Sequence, residues 1–295
     1  MTVAANPAAG SGLTASFQFQ FSHPAGYQNL GVVNVLINQY LDGRQACYIA
    51  FAVASNVLYL VPDSGGGLLP GMVLNGSGST ANSQCSIAGA GSSASASGNT
   101  LSLTLNITFS SSFGGNKVVY AAAGDSLGAN TGWNVMGVHG VPPAPATFPI
   151  PLGMTPASST ASSEILTFTY EDAATASNLQ TMWALTNTAI DGRAACYVAY
   201  YAPGNQIFLY PDNGDGTQAT STKLTGSNSL SNSQCTVSAA GSSYTTTGAQ
   251  ATLMLNIAFK SAFAGRRATW LAVQTLNGVA TSDWQALGAR TVTGN

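Results

Sequence analysis

The chain has 295 residues, of which 45% are apolar and only 6% are charged, and its formal net charge is −2. An average soluble domain is about 25% charged. The scarcity of Lys and Arg excludes nucleic acid as a partner, because phosphate neutralisation supplies most of that affinity. The sequence has no apolar run of about 18 residues, which excludes a transmembrane helix. High hydrophobicity with a low net charge is also the reverse of the disorder signature.

Short extended segments follow one another along the first half of the chain. Residues 101–109 alternate apolar and polar side chains, which predicts a strand with one buried and one solvated face. Asp42 and Gly43 lie between apolar runs and predict a hairpin turn. About eight short strands in roughly 125 residues, with no helical spacing, predict an antiparallel immunoglobulin-like β-sandwich. The other extended segments are residues 17–21, 32–36, 47–51, 57–61, 84–87, 118–121 and 133–138.

The same pattern occurs twice, at a shift of about 150 residues. Residues 42–48 (DGRQACY) fall on residues 191–197 (DGRAACY), and residues 82–85 (NSQC) fall on residues 232–235 (NSQC). The sequence therefore predicts an all-β protein of two tandem immunoglobulin-like domains. The first domain is expected at residues 1–141, with an extended N-terminal segment, and the second at residues 164–295.

Residues 142–163 are rich in proline, and we expect them to form a semi-rigid, polyproline-type linker between the domains. Residues 2–14 and residues 141–163 lie before the first predicted strand of each repeat. We expect both to be free to pair with the sheet edge of a neighbouring molecule. Residues 1–13 lack the basic and apolar regions of a secretory signal, so an exported form would be a mature chain or a piece of a longer one.

Four cysteines occur, two in each repeat, with separations of 38 and 39 residues. Equal spacing predicts one disulfide per domain, Cys47 with Cys85 and Cys196 with Cys235. A zinc site would need closely spaced ligand pairs, which this sequence does not contain. Disulfides persist in oxidising compartments, so we expect an extracellular or cell-surface location.

Several short motifs resemble a β-rich module that is found in tandem in large secreted or cell-surface proteins of soil bacteria, notably acidobacteria. The motifs are FQFQF at 17–21, DG at 42–43, ACY at 46–48, LYL at 58–60, NSQC at 82–85, SGNTL at 97–101 and GW at 132–133. The resemblance covers nearly the whole chain, twice, and NSQC is its most specific element. It implies an accessory or scaffold domain with no assigned catalytic residue. The second copy departs from it at residues 247–250 (TGAQ).

Candidate chemistry is sparse. His23 and His139 do not recur between the repeats, and the acidic residues are scattered or lie in predicted turns, so neither a nucleophilic triad nor a glycosidase pair is indicated. Asp212, Asn213 and Asp215 form a weak calcium candidate, because alternating oxygens around glycine suit a hard cation. The segment misses the EF-hand template, and an ordinary turn is the main alternative. The sequence predicts no enzyme and no cofactor.

Aromatic residues are the remaining route to function. Trp133 and Trp284 occupy the same place in both repeats, as expected of core or core-edge anchors. Trp183 stands where the first repeat has Asn34, so we expect an exposed side chain there. Trp183 and Trp270 are the candidate ligand contacts.

We therefore expect a non-enzymatic structural or adhesive module of an extracellular protein, with other copies of itself or neighbouring repeats as partners, in a surface filament or stalk. The alternative is a glycan-binding module whose partner is a polysaccharide.

Overall fold

The alternating apolar segments form β-strands in a computed structural model that describes residues 1–144 and 147–294. The chain divides into two units, Met1–Ala144 and Pro145–Asn295. Both units consist of strands, turns and single 3-10 turns, and no α-helix occurs in the described ranges. Accordingly, no helix there is long and apolar enough to cross a membrane.

The first domain contains strands β1 to β12 and two 3-10 turns. The strands are β1 (Thr2–Asn6), β2 (Ala9–Ser11), β3 (Thr14–Ser22), β4 (Leu30–Asn38), β5 (Cys47–Ala52), β6 (Val57–Leu60), β7 (Met72–Val73), β8 (Ser79–Ala81), β9 (Cys85–Ser97), β10 (Thr100–Phe109), β11 (Gly115–Asp125) and β12 (Asn134–Val141). The 3-10 turns are Tyr27–Asn29 and Ser111–Phe113.

The second domain repeats this series in the same order. Its strands are β13 (Ile150–Thr155), β14 (Ser158–Thr160), β15 (Ser163–Glu171), β16 (Leu179–Asn187), β17 (Cys196–Tyr201), β18 (Gln206–Leu209), β19 (Thr220–Lys223), β20 (Ser229–Ser231), β21 (Cys235–Thr247), β22 (Gln250–Phe259), β23 (Gly265–Thr275) and β24 (Gln285–Val292). Its 3-10 turns are Ala176–Asn178, Gly216–Gln218, Ser261–Phe263 and Leu276–Gly278.

Each domain is a sandwich of a five-stranded and a seven-stranded sheet. In the first domain the sheet orders are β1-β3-β10-β9-β8 and β2-β12-β11-β4-β5-β6-β7, and the second domain has the same two orders. Read as immunoglobulin strands, these are ABED with one added strand, and GFCC′C″ with an added strand at each edge. The predicted fold class is confirmed. The pairing is antiparallel except at β2 with β12 and β14 with β24, which are parallel.

The core lies between the two sheets and follows the predicted alternation. On β3, Phe17, Phe19 and Phe21 point inward, each at most 1% exposed. They lie opposite the buried leucines of β10, where Phe19 pairs with Leu103 in the register. Burying one such side chain contributes about 1.5 to 3 kcal/mol, so this pair of strands stabilises the five-stranded sheet strongly.

The proline-rich segment is only partly a linker, which corrects the predicted boundary of 142–163. Residues 150–155 and 158–160 are strands β13 and β14 of the second domain, the counterparts of β1 and β2. Proline is compatible with a strand at a sheet edge, because no ladder hydrogen bond is lost on the solvent side. Pro151 lies on β13, which is such an edge strand. Residues 145 and 146 of the expected linker lie outside the described residues.

The N-terminal segment is likewise built into its own domain. Residues 2–6 pair with β3, and residues 9–11 pair with β12. The expectation that residues 2–14 and 141–163 are free to pair with a neighbour is therefore wrong for these strands. Their apolar positions pack on the sandwich they precede, as Val3 and Met154 do in the two cores.

The disulfides pair as the cysteine spacing predicted, Cys47 with Cys85 and Cys196 with Cys235. Each joins the first residue of a strand in the seven-stranded sheet, β5 or β17, to the first residue of a strand in the five-stranded sheet, β9 or β21, so it connects the two sheets at one end of the sandwich. In antibody domains the inter-sheet disulfide joins strands B and F instead. The cross-link in this chain serves the same purpose from a different pair of strands.

Candidate functional site

The repeated NSQC motif forms a clasp beside each disulfide. The Asn82 side-chain amide donates to the carbonyls of Ala46 and Val61, at 2.9 and 3.1 Å. Its oxygen accepts from the backbone amides of Gln84 and Cys85, at 2.9 and 3.0 Å. One side chain therefore satisfies four backbone groups from three separate segments. Asn232 makes the same four bonds in the second domain.

The serine of the motif extends the clasp to the turn after β6. The backbone amide of Ser83 donates to Asp63, and its hydroxyl donates to the second carboxylate oxygen of Asp63. Ser233 and Asp212 repeat this arrangement. NSQC, the most specific element of the sequence resemblance, is therefore occupied in holding the sandwich together.

The two DGR turns are also alike. The Asp42 carboxylate accepts from the backbone amide of Arg44 and from its guanidinium, whose Nη2 lies 2.6 Å from Oδ2. These hydrogen bonds from Arg44 hold the pKa of Asp42 at about 2. Asp191 and Arg193 repeat both contacts, with the same effect on the pKa of Asp191.

A third pair of matching contacts stabilises a bulge in β9 and in its counterpart β21. The register between β9 and β10 shifts near Asn106, and the Asn106 amide donates to the Ala90 carbonyl while its backbone N–H donates to the Ser92 hydroxyl. Asn256 does the same in the second domain. The polar motifs common to both repeats thus take part in contacts within their own domains.

The calcium candidates Asp212, Asn213 and Asp215 form hydrogen bonds within turns of the chain. Asp212 belongs to the clasp described above. The Asp215 carboxylate caps the 3-10 turn that follows it, accepting from the backbone and hydroxyl of Thr217 and from the side-chain amide of Gln218. The Asn213 side-chain oxygen accepts from the Asp215 amide. Across the described part of the chain, no three His, Cys, Asp or Glu side chains are grouped to hold a metal ion.

The two histidines, His23 and His139, lie far from each other in the first domain. His139 is buried between the rings of Phe17 and Phe109, and its Nε2 lies 2.9 Å from the Gly12 carbonyl. Burial lowers the pKa of His139, so the neutral ring is favoured. His23 lies at the other end of the domain, 3.7 Å from Asp125.

The second domain replaces this histidine by a buried ion pair that the sequence did not reveal. Arg290 stands at the position of His139, and its guanidinium contacts the carboxylate of Glu164, which in turn accepts from the Ser159 hydroxyl. The Arg290 Nε also donates to Thr269. In the sequence, Glu164 is one of several scattered acidic residues. Its pairing with Arg290 was hidden because the two residues are far apart in the chain.

The two candidate ligand contacts, Trp183 and Trp270, lie in different environments. Trp270 is 0% exposed, so it cannot contact a ligand, and this prediction is wrong. Trp270 lies on strand β23, beside Leu185 of β16. Trp183 is half-buried and not exposed as expected, and its indole N–H donates to the hydroxyl of Tyr210 at 3.2 Å.

Trp183 belongs to a larger aromatic group on the outer face of the seven-stranded sheet. The rings of Tyr197 and Tyr210 stack at 3.8 Å with an interplanar angle of 16°, and Trp284 meets Tyr197 edge-on at 5.9 Å. Phe208 precedes Tyr210 by two residues and shares its side of the sheet. All of these side chains are half-buried.

A groove opens beside this group, between the edge strands of the two sheets. Its volume is about 350 Å³. Tyr210 forms one wall, and the others carry mostly hydroxyl, amide and carboxylate groups, including those of Asp212, Gln218, Thr220, Ser231 and Asn232. Of the described residues that line it, none is basic.

The fold and these contacts define the class of protein as a tandem pair of immunoglobulin-like domains with variable-type sheet order. No protein-family model matches the sequence, and no curated protein matches it. Among solved structures, a marsupial T cell receptor aligns over 98% of this chain and 72% of its own, at 10% identity and a TM-score of 0.25. The sheet order of this chain defines the class of its fold.

Proposed function

We propose that the chain is a non-enzymatic structural or adhesive module of an extracellular or cell-surface protein. The observation that carries this proposal is the duplication of the clasp: the most distinctive shared polar residues, Asn82 and Asn232 above all, bind backbone groups of their own domain. A motif retained in both repeats for a reaction would present its polar atoms to a substrate instead.

The position of the disulfides suits a mechanical role. Each closes a loop of 38 or 39 residues between the two sheets, and such a cross-link contributes about 3 to 4 kcal/mol in the chain-entropy model. It holds the sheets together at the end of the sandwich where the clasp also lies. Disulfides also agree with an oxidising compartment outside the cytoplasm.

Low charge supports self-association of the module in a filament or stalk. With eight basic and ten acidic residues in 295, neighbouring copies repel one another little. Because the first strands are already paired within each domain, copies would associate through outer surfaces and the remaining sheet edges, and not by donating these strands.

Electron microscopy of the purified protein, together with size-exclusion chromatography and light scattering, tests this proposal. We expect regular fibres or a discrete oligomer whose formation survives a change of salt concentration. A monomer at all accessible concentrations would contradict assembly, and hydrolytic or transfer activity that tracks the protein through purification would contradict a non-enzymatic role.

A further inference from the structure

The second domain carries an aromatic face that the first domain lacks. We define this aromatic face as Trp183, Tyr197, Phe208 and Tyr210, on or next to the adjacent strands β16, β17 and β18. Their neighbours in the chain, such as Val198 and Leu209, point into the core, so these four point outward. The corresponding residues of the first domain are Asn34, Tyr48, Tyr59 and Val61. At these four positions the second domain therefore has two more aromatic side chains than the first.

Trp183 has small neighbours on both adjacent strands. In the register it lies between Ala199 and Ala272. These alanines are 4% and 3% exposed, whereas their counterparts beside Asn34, Ala50 and Ala122, are 8% and 9% exposed. The Trp183 side chain is itself half-buried. Its bond to the Tyr210 hydroxyl then fixes both rings.

Tyr210 links the aromatic face to the groove. Its ring stacks on Tyr197 and also lines the groove, whose far wall is formed by Ser231 and Asn232 near the edge of the other sheet. Gln218 and Thr220 are exposed beside it. The aromatic face therefore adjoins a groove that presents the hydroxyls of Thr220 and Ser231 and the amide of Gln218, while the Asn232 amide is occupied in the clasp.

This combination matches the two sides of a sugar ring. Aromatic faces carry negative charge density, which attracts the C–H groups on the apolar side of a pyranose, while hydroxyl and amide side chains exchange hydrogen bonds with its edge. The single charge on the groove wall is the Asp212 carboxylate, which disfavours sulfated or uronic sugars. A protein interface would be enriched in Arg as well as in aromatic residues.

We propose that the second domain binds a neutral polysaccharide across Trp183 and Tyr210 and along the adjoining groove. The proposal does not depend on the structural role, since it concerns one face of one domain. A chain ligand fits because the groove runs between two sheet edges and is open to solvent, so sugar units outside it are accommodated.

The first domain supplies substitutions that preserve the fold. Trp183→Asn and Tyr210→Val install the residues that the first domain uses at the same positions, so the double variant should fold with both disulfides intact. The test measures binding of the full chain to soluble mixed-linkage β-glucan, xylan, galactomannan and dextran by affinity electrophoresis and calorimetry. Dextran sulfate serves as the anionic comparison.

We expect the wild type to bind at least one neutral polysaccharide and the double variant to bind it at least about tenfold more weakly, a loss of about 1.4 kcal/mol. The matched control, Asn34→Ala with Val61→Ala in the first domain, should bind as the wild type does. The reciprocal variant, Asn34→Trp with Val61→Tyr, should gain a second site, and it keeps the proposal testable if the first double variant is unstable.

Failure of the wild type to bind any of the neutral polysaccharides would overturn the proposal, as would equal binding by the double variant or binding to dextran sulfate alone. Self-association that the double variant abolishes, without glycan binding, would assign the aromatic face to a second copy of the chain. Assembly in the microscope is scored separately, so failure of the glycan site leaves the structural role standing.

Discussion

At the scale of single residues, one asparagine in each repeat has a stabilising effect out of proportion to its size. Asn82 bonds two carbonyls and two amides that come from the starts and ends of different strands. Backbone polar groups that are removed from water need such partners, since an unsatisfied one costs about 1 to 3 kcal/mol. NSQC could be recognised from the sequence as a repeated motif, but its partners are up to 36 residues away, so its role could not be predicted.

Replacing Asn82 by Ala should destabilise the first domain by about 2 to 4 kcal/mol, because it removes four hydrogen bonds at a partly buried site. Urea unfolding of the full chain measures this, with Asn232→Ala as the matched variant for the second domain. Ser83→Ala, which affects only an exposed contact with Asp63, should cost much less. Equal costs for the two first-domain variants would contradict the assigned role of Asn82.

His139 should make the first domain sensitive to mild acid. Because burial lowers its pKa in the folded state, the unfolded chain binds the proton more readily. The stabilisation is complete above the unfolded value of about 6.5 and is lost as the pH falls below it. We expect the free energy of unfolding of the first domain to decrease between about pH 6.5 and 5, and His139→Gln to reduce that decrease.

The second domain is the internal control for this pH effect, because Arg290 occupies the same position and stays charged throughout the range. Thermal unfolding recorded across the range would show the difference between the two domains. Equal slopes in the wild type and the His139→Gln variant would show that other groups cause the loss.

At the scale of elements, local alternation predicted the strands, but not how the first strand of each domain is used. The apolar and polar positions of β10 and β22 follow the sequence pattern throughout. The short segments before β3 and β15 have no such pattern, because each divides between two sheets as β1 and β2 or β13 and β14. The prolines of residues 142–163 suggest a linker, and only the neighbouring strands, which are distant in the chain, make both segments part of a sheet.

Truncation should reveal that β13 and β14 are integral to the second domain. A chain of residues 147–295 should fold on its own, whereas residues 164–295 should be destabilised or aggregate, because removing β13 and β14 exposes the edges of β15 and β24. Circular dichroism and urea unfolding of the two fragments measure the difference. Equal stability of the fragments would restore the linker assignment for residues 150–163.

At the scale of the whole molecule, two similar sandwiches differ on the outer face of the seven-stranded sheet. The first domain has Asn34 and Val61 where the second has Trp183 and Tyr210. The shared clasps and disulfides stabilise both domains, and these differing residues change only the outer face of the sheet. The repeat itself was predictable from the sequence, and so was the exceptional position of Trp183.

The disulfides should act on each domain separately. Replacing Cys47 and Cys85 by Ser should lower the free energy of unfolding of the first domain by about 3 to 4 kcal/mol and leave the second domain unchanged, since the cross-links lie within separate repeats. Calorimetry of this variant and of its Cys196 and Cys235 counterpart measures both effects. A change in the unmutated domain would reveal coupling between them.

The sequence alone determined the all-β class, the duplication, the cysteine pairing and the inward face of the long strands, because each depends on local periodicity or on equal spacing in two copies. Tertiary structure decided the rest. It buried Trp270 and Arg290, paired Arg290 with Glu164, paired the N-terminal strands within their own domains, and joined Trp183 to Tyr210 across the sheet. These outcomes depend on which strands become neighbours, and long-range pairing leaves no pattern in adjacent residues.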